Sequence, residues 1–286
     1  MCVMAHLLHV CMYVCYHQPC MYYRLTLQPP PPPNTTQHTT EFGIIICKHF
    51  LKTYPEMVNR ISVEILKDRW ERISNKDTFG RIVPHKHVFR RLGPNQPFVN
   101  VQGVKRYRSN DPIKITMQGG LKGLEIMKTT QSGFTGFHRD RFTSLPEVKD
   151  RLVGTSVTAL WTYTQDAINK FNGKDYANIH HIIENACVDE FAGPADTGVY
   201  SNSVQQTMYE MGKSSILRTN GSIESITLDM PNIHNLPFDL TRYGFPKEKP
   251  GVSPTIFYPI DEPHGMIKAT IHAKNVKGGN AYRARL

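Results

Sequence analysis

A pair of helical patterns set between pairs of alternating strands constrains this chain more than any other feature. Residues 176–191 place Ile179, Ile182, Ile183, Cys187 and Phe191 three and four apart, and 204–217 follows as a second helix, with Gly193-Pro194 breaking the chain between them. On either side the period changes to two, at 121–130 and 156–163 before the helices and at 223–230, 256–260 and 266–273 after them. Such an order is that of an α+β chain. The first half repeats part of it. Phe42, Ile45, Ile46, Phe50 and Leu51 predict a helix over 41–54, with Thr39 or Thr40 as its N-cap and Pro55 as its stop. Residues 61–65 alternate as a strand running on towards Trp70, and 98–104 gives another. The first unit therefore lacks an opening hairpin. The bare sheet edge this leaves invites pairing with another chain.

Residues 1–40 stand apart from this body. Residues 1–28 are rich in Met, Cys, Tyr and His without a clear helical or strand period, Pro29 to Pro33 predicts an extended polyproline run, and 34–40 is polar and loop-like. The arm is expected to be a disordered appendage outside the core. Its first twenty residues resemble a weak signal-peptide core, but they hold no Lys or Arg and are interrupted by His. Four of the six cysteines fall here, at Cys2, Cys11, Cys15 and Cys20. They suit bridges if the chain is secreted, whereas a metal site on Cys11 and Cys15 lacks a second cysteine pair. Cys47 and Cys187 lie inside apolar helical patterns and read as buried thiols, so the body belongs to a reducing compartment.

With 286 residues and a formal charge of +10, the chain is long enough for two domains and suits an anionic partner. Its Lys and Arg are scattered, with no basic stripe interleaved with aromatics, so nucleic acid is not the expected partner. No apolar run reaches the length of a membrane span, and none is expected.

The chemistry concentrates in residues 128–151. A threonine-bearing strand end, Lys128-Thr129-Thr130, leads into an aromatic and glycine knot, Gly133-Phe134-Thr135-Gly136-Phe137, and a charged segment then runs to Arg151, one helical turn beyond Glu147. A phenyl face and a planar guanidinium brought into one pocket stack on a flat ring and grip its edge. The plain alternative is a strand, a turn and a helix that only pack. His85-Lys86-His87 sets two imidazoles on one face of a strand, two-thirds of a zinc site with no third ligand evident, and no catalytic metal is predicted.

Residues 128–151 resemble the signature region of the urate oxidase (uricase) family. Two further matches follow in order, Ser203-Val204-Gln205-Gln206-Thr207-Met208-Tyr209 and Leu228-Asp229-Met230-Pro231-Asn232-Ile233-His234, and the resemblance covers about 41–286. Ile126, Met127 and Asn235 depart from the usual pattern. The resemblance implies tandem tunnelling-fold (T-fold) units, the first, incomplete one over 41–135 and the second over 136–286. It also implies a homotetramer with sites at subunit interfaces. For the site it implies Phe134 as the stacking ring, Arg151 as a bidentate clamp on urate, and Gln205 with the Val204 backbone N–H on the opposite edge. Asn232 would hold dioxygen or water over the ring, and His234 would belong to a proton relay. The implied reaction takes urate and dioxygen to 5-hydroxyisourate and hydrogen peroxide, with no metal or organic cofactor. Ala284-Arg285-Leu286 is similar to the peroxisomal C-terminal address, which implies an import receptor as a further partner. The family's relay also uses a Lys and a Thr on its opening hairpin. Residues 1–40 contain no Lys, and no role passes to Thr26 or Thr35, so impaired turnover is expected. The competing readings are a non-catalytic purine-binding or scaffold protein on the same fold, a basic nucleic-acid binder, and a pterin-acting relative of that fold.

Overall fold

The computed structural model describes residues 39–106, 111–144, 146–246, 256–260, 262 and 264–276, and the backbone alone of 8–15 and 20–27. In chain order it begins with strands β1 (Leu8–Cys15) and β2 (Cys20–Leu27), helix α1 (Thr39–Thr53) and strands β3 (Arg60–Lys67), β4 (Trp70–Lys76), β5 (Ile82–Arg91), β6 (Gln96–Val104), β7 (Lys114–Lys128) and β8 (Val153–Tyr163). Helices α2 (Gln165–Lys170), α3 (Gly173–Ala192) and α4 (Val204–Arg218) follow, then strands β9 (Ile223–Asp229), β10 (Asn232–Pro237), β11 (Phe257–Ile260) and β12 (Lys268–His272). Ten strands form one antiparallel sheet, ordered β11-β10-β8-β7-β6-β3-β1-β2, with β9 also on β8 and β12 on β9, while β4 and β5 make a separate ribbon.

The α+β class read from the alternating periods is the one observed, with helices on one face of an antiparallel sheet. Strand β8 carries the pattern most fully, its odd residues Val153, Thr155, Val157, Ala159, Trp161 and Tyr163 all buried. Opposite it, α3 buries Tyr176, Ile179, Ile183, Cys187 and Phe191, and α4 buries Val204, Met208 and Met211. Asn172 caps α3 through a capping box with Asp175, and Ser203 caps α4 by accepting from the Gln206 N–H. In α1 the buried stripe runs through Gly43, Cys47 and Leu51, while the apolar Ile45 is 49% exposed. The cause is at Gly43. A Cβ there would meet Val101 Cγ2 at 2.8 Å, so the missing side chain lets the helix settle on β6 along that line. Cys47 and Cys187 are free and fully buried, and burial pushes both thiols up to about 12.

Three expectations need correction. The arm is not disordered throughout: β1 and β2 pair with each other, and β1 pairs with β3 from Leu8↔Lys67 to Cys15↔Arg60. The edge of β3 that was expected to be bare is covered by a hairpin from the arm. In this register Val10 stands opposite Ile65 and Met12 opposite Val63. The strand from 61–65 does not run on to Trp70, which opens the β4–β5 ribbon instead. The plain alternative of a helix before Arg151 is not observed either: the described residues from 129 to 152 are irregular apart from two isolated backbone bridges, Phe134 with Val148 and Ser132 with Ser201. The polyproline run and Ala284-Arg285-Leu286 lie outside the described residues. No helix among the described residues is long and apolar enough to cross a membrane.

Candidate functional site

Backbone hydrogen bonds draw the knot of 128–151 into place. The Phe134 N–H donates to the Val148 carbonyl at 2.7 Å and the Val148 N–H returns to Phe134 at 3.1 Å, while the Arg151 N–H donates to the Ser132 carbonyl at 2.8 Å. On the other flank, the Gly133 N–H donates to Ser201 and the Ser201 N–H to Gln131, each at 2.9 Å. One short run, Gln131 to Phe134, is therefore clamped between the segment before β8 and the segment before α4. Asp150 reinforces it, accepting from the Thr130 hydroxyl and from the Gln131 N–H, itself at φ +60°. Gly133 is required by closeness: a Cβ there would run into the Tyr200 hydroxyl, which donates to the Lys149 carbonyl at 2.7 Å.

The clamp brings Phe134 and Arg151 together, with the guanidinium carbon 5.6 Å from the ring centroid. Phe137 stacks on Phe134 at 4.6 Å and 15°. Arg151 is half-buried, and its Nε is buried with no hydrogen-bond partner. Burial lowers its proton affinity, although the neighbouring Tyr200 phenol pulls the other way. A guanidinium still carries its charge under such conditions. The Ser132 and Thr155 hydroxyls are likewise buried and unpartnered. Buried polar groups without partners are rare, and several in one place mark a spot that another molecule completes.

The Ser201 link sets the start of α4 beside this pair. Val204 is buried, Gln205 is exposed, and the first-turn amides of a helix have no acceptor within it. They carry the positive end of the helix dipole, which favours an anion. Strand β10 reaches the same end of the sheet: Asn232 stands opposite Thr155 and Ile233 opposite Gly154, at the start of β8 and three or four residues from Arg151. His234 lies beyond that ladder, opposite Ile260 of β11. The segments that carry Phe134, Arg151, Val204, Gln205 and Asn232 are thus linked through their backbones near where β7 ends and β8 begins, with Phe134 and Arg151 in side-chain contact and His234 on the adjoining extension. Asn232 and His234 fall on the same side of β10 by alternation, as the sequence suggests.

Sequence reasoning did not single out Ser132, Thr155, Tyr200 or Ser201. Small polar residues of this kind carry no spacing signal, and only the fold makes their burial or their clamping role apparent. His85 and His87 sit on β5 with ring centroids 4.8 Å apart. No group of three His, Cys, Asp or Glu side chains able to hold a metal occurs among the described residues.

The fold defines a T-fold α+β protein, with a guanidinium set against a phenyl ring where β7 gives way to β8. The uricase family model matches residues 117–268, a span that includes every one of the six residues above. The chain is 38% identical over 236 residues to the uricase of Arabidopsis thaliana, covering 81% of this chain and 71% of that one. It is 34% identical over 235 residues to the uricase of Oryctolagus cuniculus, covering 82% and 70%. The crystal structure of uricase from Arthrobacter globiformis superposes with a TM-score of 0.66 at 27% identity over 86% of this chain and 74% of that one. A uricase from Bacillus fastidious matches in fold with a TM-score of 0.68 at 18% identity over 87% and 71%. The chain belongs to the uricase family.

Proposed function

We propose that this chain is a urate oxidase, joining urate, dioxygen and water to give 5-hydroxyisourate and hydrogen peroxide. The observation that carries the reading is the buried, partnerless Nε of Arg151 beside the Phe134 ring. A flat anion lying against Phe134 presents an edge to that guanidinium, which donates two parallel hydrogen bonds to a carbonyl oxygen and a deprotonated ring nitrogen. Gln205 answers the opposite edge with its amide, donor to carbonyl and acceptor to N–H, and the Val204 backbone N–H adds a further donor. Asn232 holds dioxygen or water above the ring, and His234 moves protons. The electron-rich ring gives two electrons to dioxygen, which leaves as peroxide with two protons, and water supplies the new hydroxyl. The protein's share is positioning and proton movement, without a metal or an organic cofactor in the proposed steps.

The proposed turnover is slow. The family's relay needs a Lys and a Thr on the opening hairpin, and residues 1–40 contain no Lys. Strands β1 and β2 occupy a hairpin's place beside β3 without supplying those groups in a matching motif. Binding and turnover therefore separate in this chain.

The chain further reads as two T-fold units, 41–135 and 136–286, whose boundary falls in the irregular stretch between β7 and β8. Homotetramer assembly is supported by sheet edges at β2 and β11. Peroxisomal import through a receptor for Ala284-Arg285-Leu286 is supported by that tripeptide's small-basic-Leu pattern. The test is a urate assay on the purified full chain, following loss of urate absorbance and release of peroxide beside equilibrium binding. Saturable urate binding with slow peroxide release is expected. Absence of urate binding overturns the assignment, and turnover comparable with an intact relative overturns the impairment.

A further inference from the structure

On the helical side of the sheet, bounded by α1, α3 and strands β3, β6, β7 and β8, lies a cavity of about 320 Å³. None of the six residues of the candidate site lines it. Its wall is aromatic, with Trp70, Trp161, Tyr163, Tyr176 and His180 all contributing. Two of these carry a buried nitrogen with no hydrogen-bond partner among the described residues, Nε1 of Trp70 and Nε2 of His180, while the Trp161 indole has the Tyr163 phenol beside it. Buried indole N–H groups ordinarily find an acceptor.

Lys67 lines the same cavity. Burial, then the nearby Arg69 charge, lower its proton affinity. Arg69 is itself neutralised by Glu184 through bonds of 3.1 and 2.8 Å, and the Asn95 amide takes the same carboxylate at 2.6 Å. The lining thus offers an indole donor at Trp70 and a Lys67 ammonium with no ion pair among the described residues, while the Glu184 carboxylate close by is already engaged. A water satisfies an N–H there but leaves Lys67 unbalanced.

We propose that this cavity binds a small aromatic anion, with its ring among the indoles and its charged edge on Lys67. The volume lies at the lower end of small-molecule pockets, about 300–1,000 Å³, which suits a ligand of one or two rings. The site is separate from the Phe134–Arg151 cluster and does not depend on the reaction proposed there.

Both tryptophans of the chain line the cavity, so tryptophan fluorescence reports its occupancy. The experiment titrates the full chain with benzoate, with neutral benzamide and inorganic phosphate as comparators. Benzoate is expected to give a saturable fluorescence change that weakens with added salt, with benzamide and phosphate each at least about tenfold weaker, a difference of about 1.4 kcal/mol. Lys67→Met is expected to lose about tenfold in benzoate affinity and Lys67→Arg to keep most of it, the charge being what matters. Arg151→Ala is expected to leave the titration unchanged. No saturable change with benzoate, equal affinity for benzamide, or loss of the signal in Arg151→Ala overturns the proposal. If Lys67→Met unfolds, the salt dependence and the benzamide comparison in the unaltered chain still decide it.

Discussion

Arg151 is the residue on which the proposed chemistry turns, because its Nε is buried without a partner while its guanidinium stands over Phe134. Arg151→Lys keeps the charge but loses the planar fork. Urate is then expected to bind about tenfold to a hundredfold more weakly, since a charged hydrogen bond contributes about 1.5–3 kcal/mol. Equilibrium binding of urate to the variant checks this, and unchanged affinity would show that the guanidinium does not grip the ligand. The residue scale is also where the sequence was most informative. Phe134, Arg151, Gln205, Asn232 and His234 sit in three ordered motifs, and the structure sets Arg151 against the Phe134 ring and pairs Asn232 with Thr155 of β8. What the motifs did not reveal was how that meeting is enforced. Ser201 holds neighbouring backbone by two hydrogen bonds and Tyr200 by one, and a serine or tyrosine in a loop has no spacing that marks it for that work. Gly133 is similar: its need arises from the Tyr200 hydroxyl, distant in sequence.

At the scale of elements, periods of two and of three to four located the helices α1, α3 and α4 and much of strands β3, β6, β7, β8 and β9, because each buries one face. The failures came where no face is buried by local pattern. The irregular chain before Arg151 is shaped by Asp150, Val148 and Ser201 rather than by helical spacing, so its form was not legible in its charged residues. The short α2 is stopped after Lys170 and rests on Thr164 as its cap, with only Ala167 buried, too little apolar surface to announce itself. The arm's strands were missed because Met, Cys, Tyr and His in 8–27 do not alternate in polarity, and only pairing with β3 makes strands of them. Removing the arm tests that pairing. A chain beginning at residue 39 is expected to expose the β3 edge and to self-associate more strongly than the full chain, measured by light scattering across a dilution series. Equal association states would mean that the hairpin does not protect the edge.

For the molecule as a whole, the cavity wall sets a limit on acid stability. Burial, opposed by the Glu184 charge, lowers His180 to about 4, so at neutral pH the 3.7 Å approach of its Nε2 to Glu184 is not an ion pair. A free His titrates near 6.5, so between about 6.5 and 4 the unfolded chain binds more protons than the folded one and stability falls as pH falls. Glu184 acts in the same direction lower down: burial alone would raise it, but the Arg69 hydrogen bond and charge win and hold it low, so its contribution is lost as pH falls through its folded value. The urea midpoint is expected to drop from pH 7 to pH 5, and His180→Gln to flatten that drop. A midpoint independent of pH over this interval would contradict the assignment. The division of β8 between two partners has a mechanical result of its own. β9 follows β8 over Thr158 to Tyr163, whereas β10 is tied to it only at Asn232 and Ile233 and carries β11 outward. The β10–β11 pair is therefore a cantilever rooted on two residues, and amide deuteration should enter at Leu236 well before Ile226, making the arm that bears His234 the first part of the sheet to swing free.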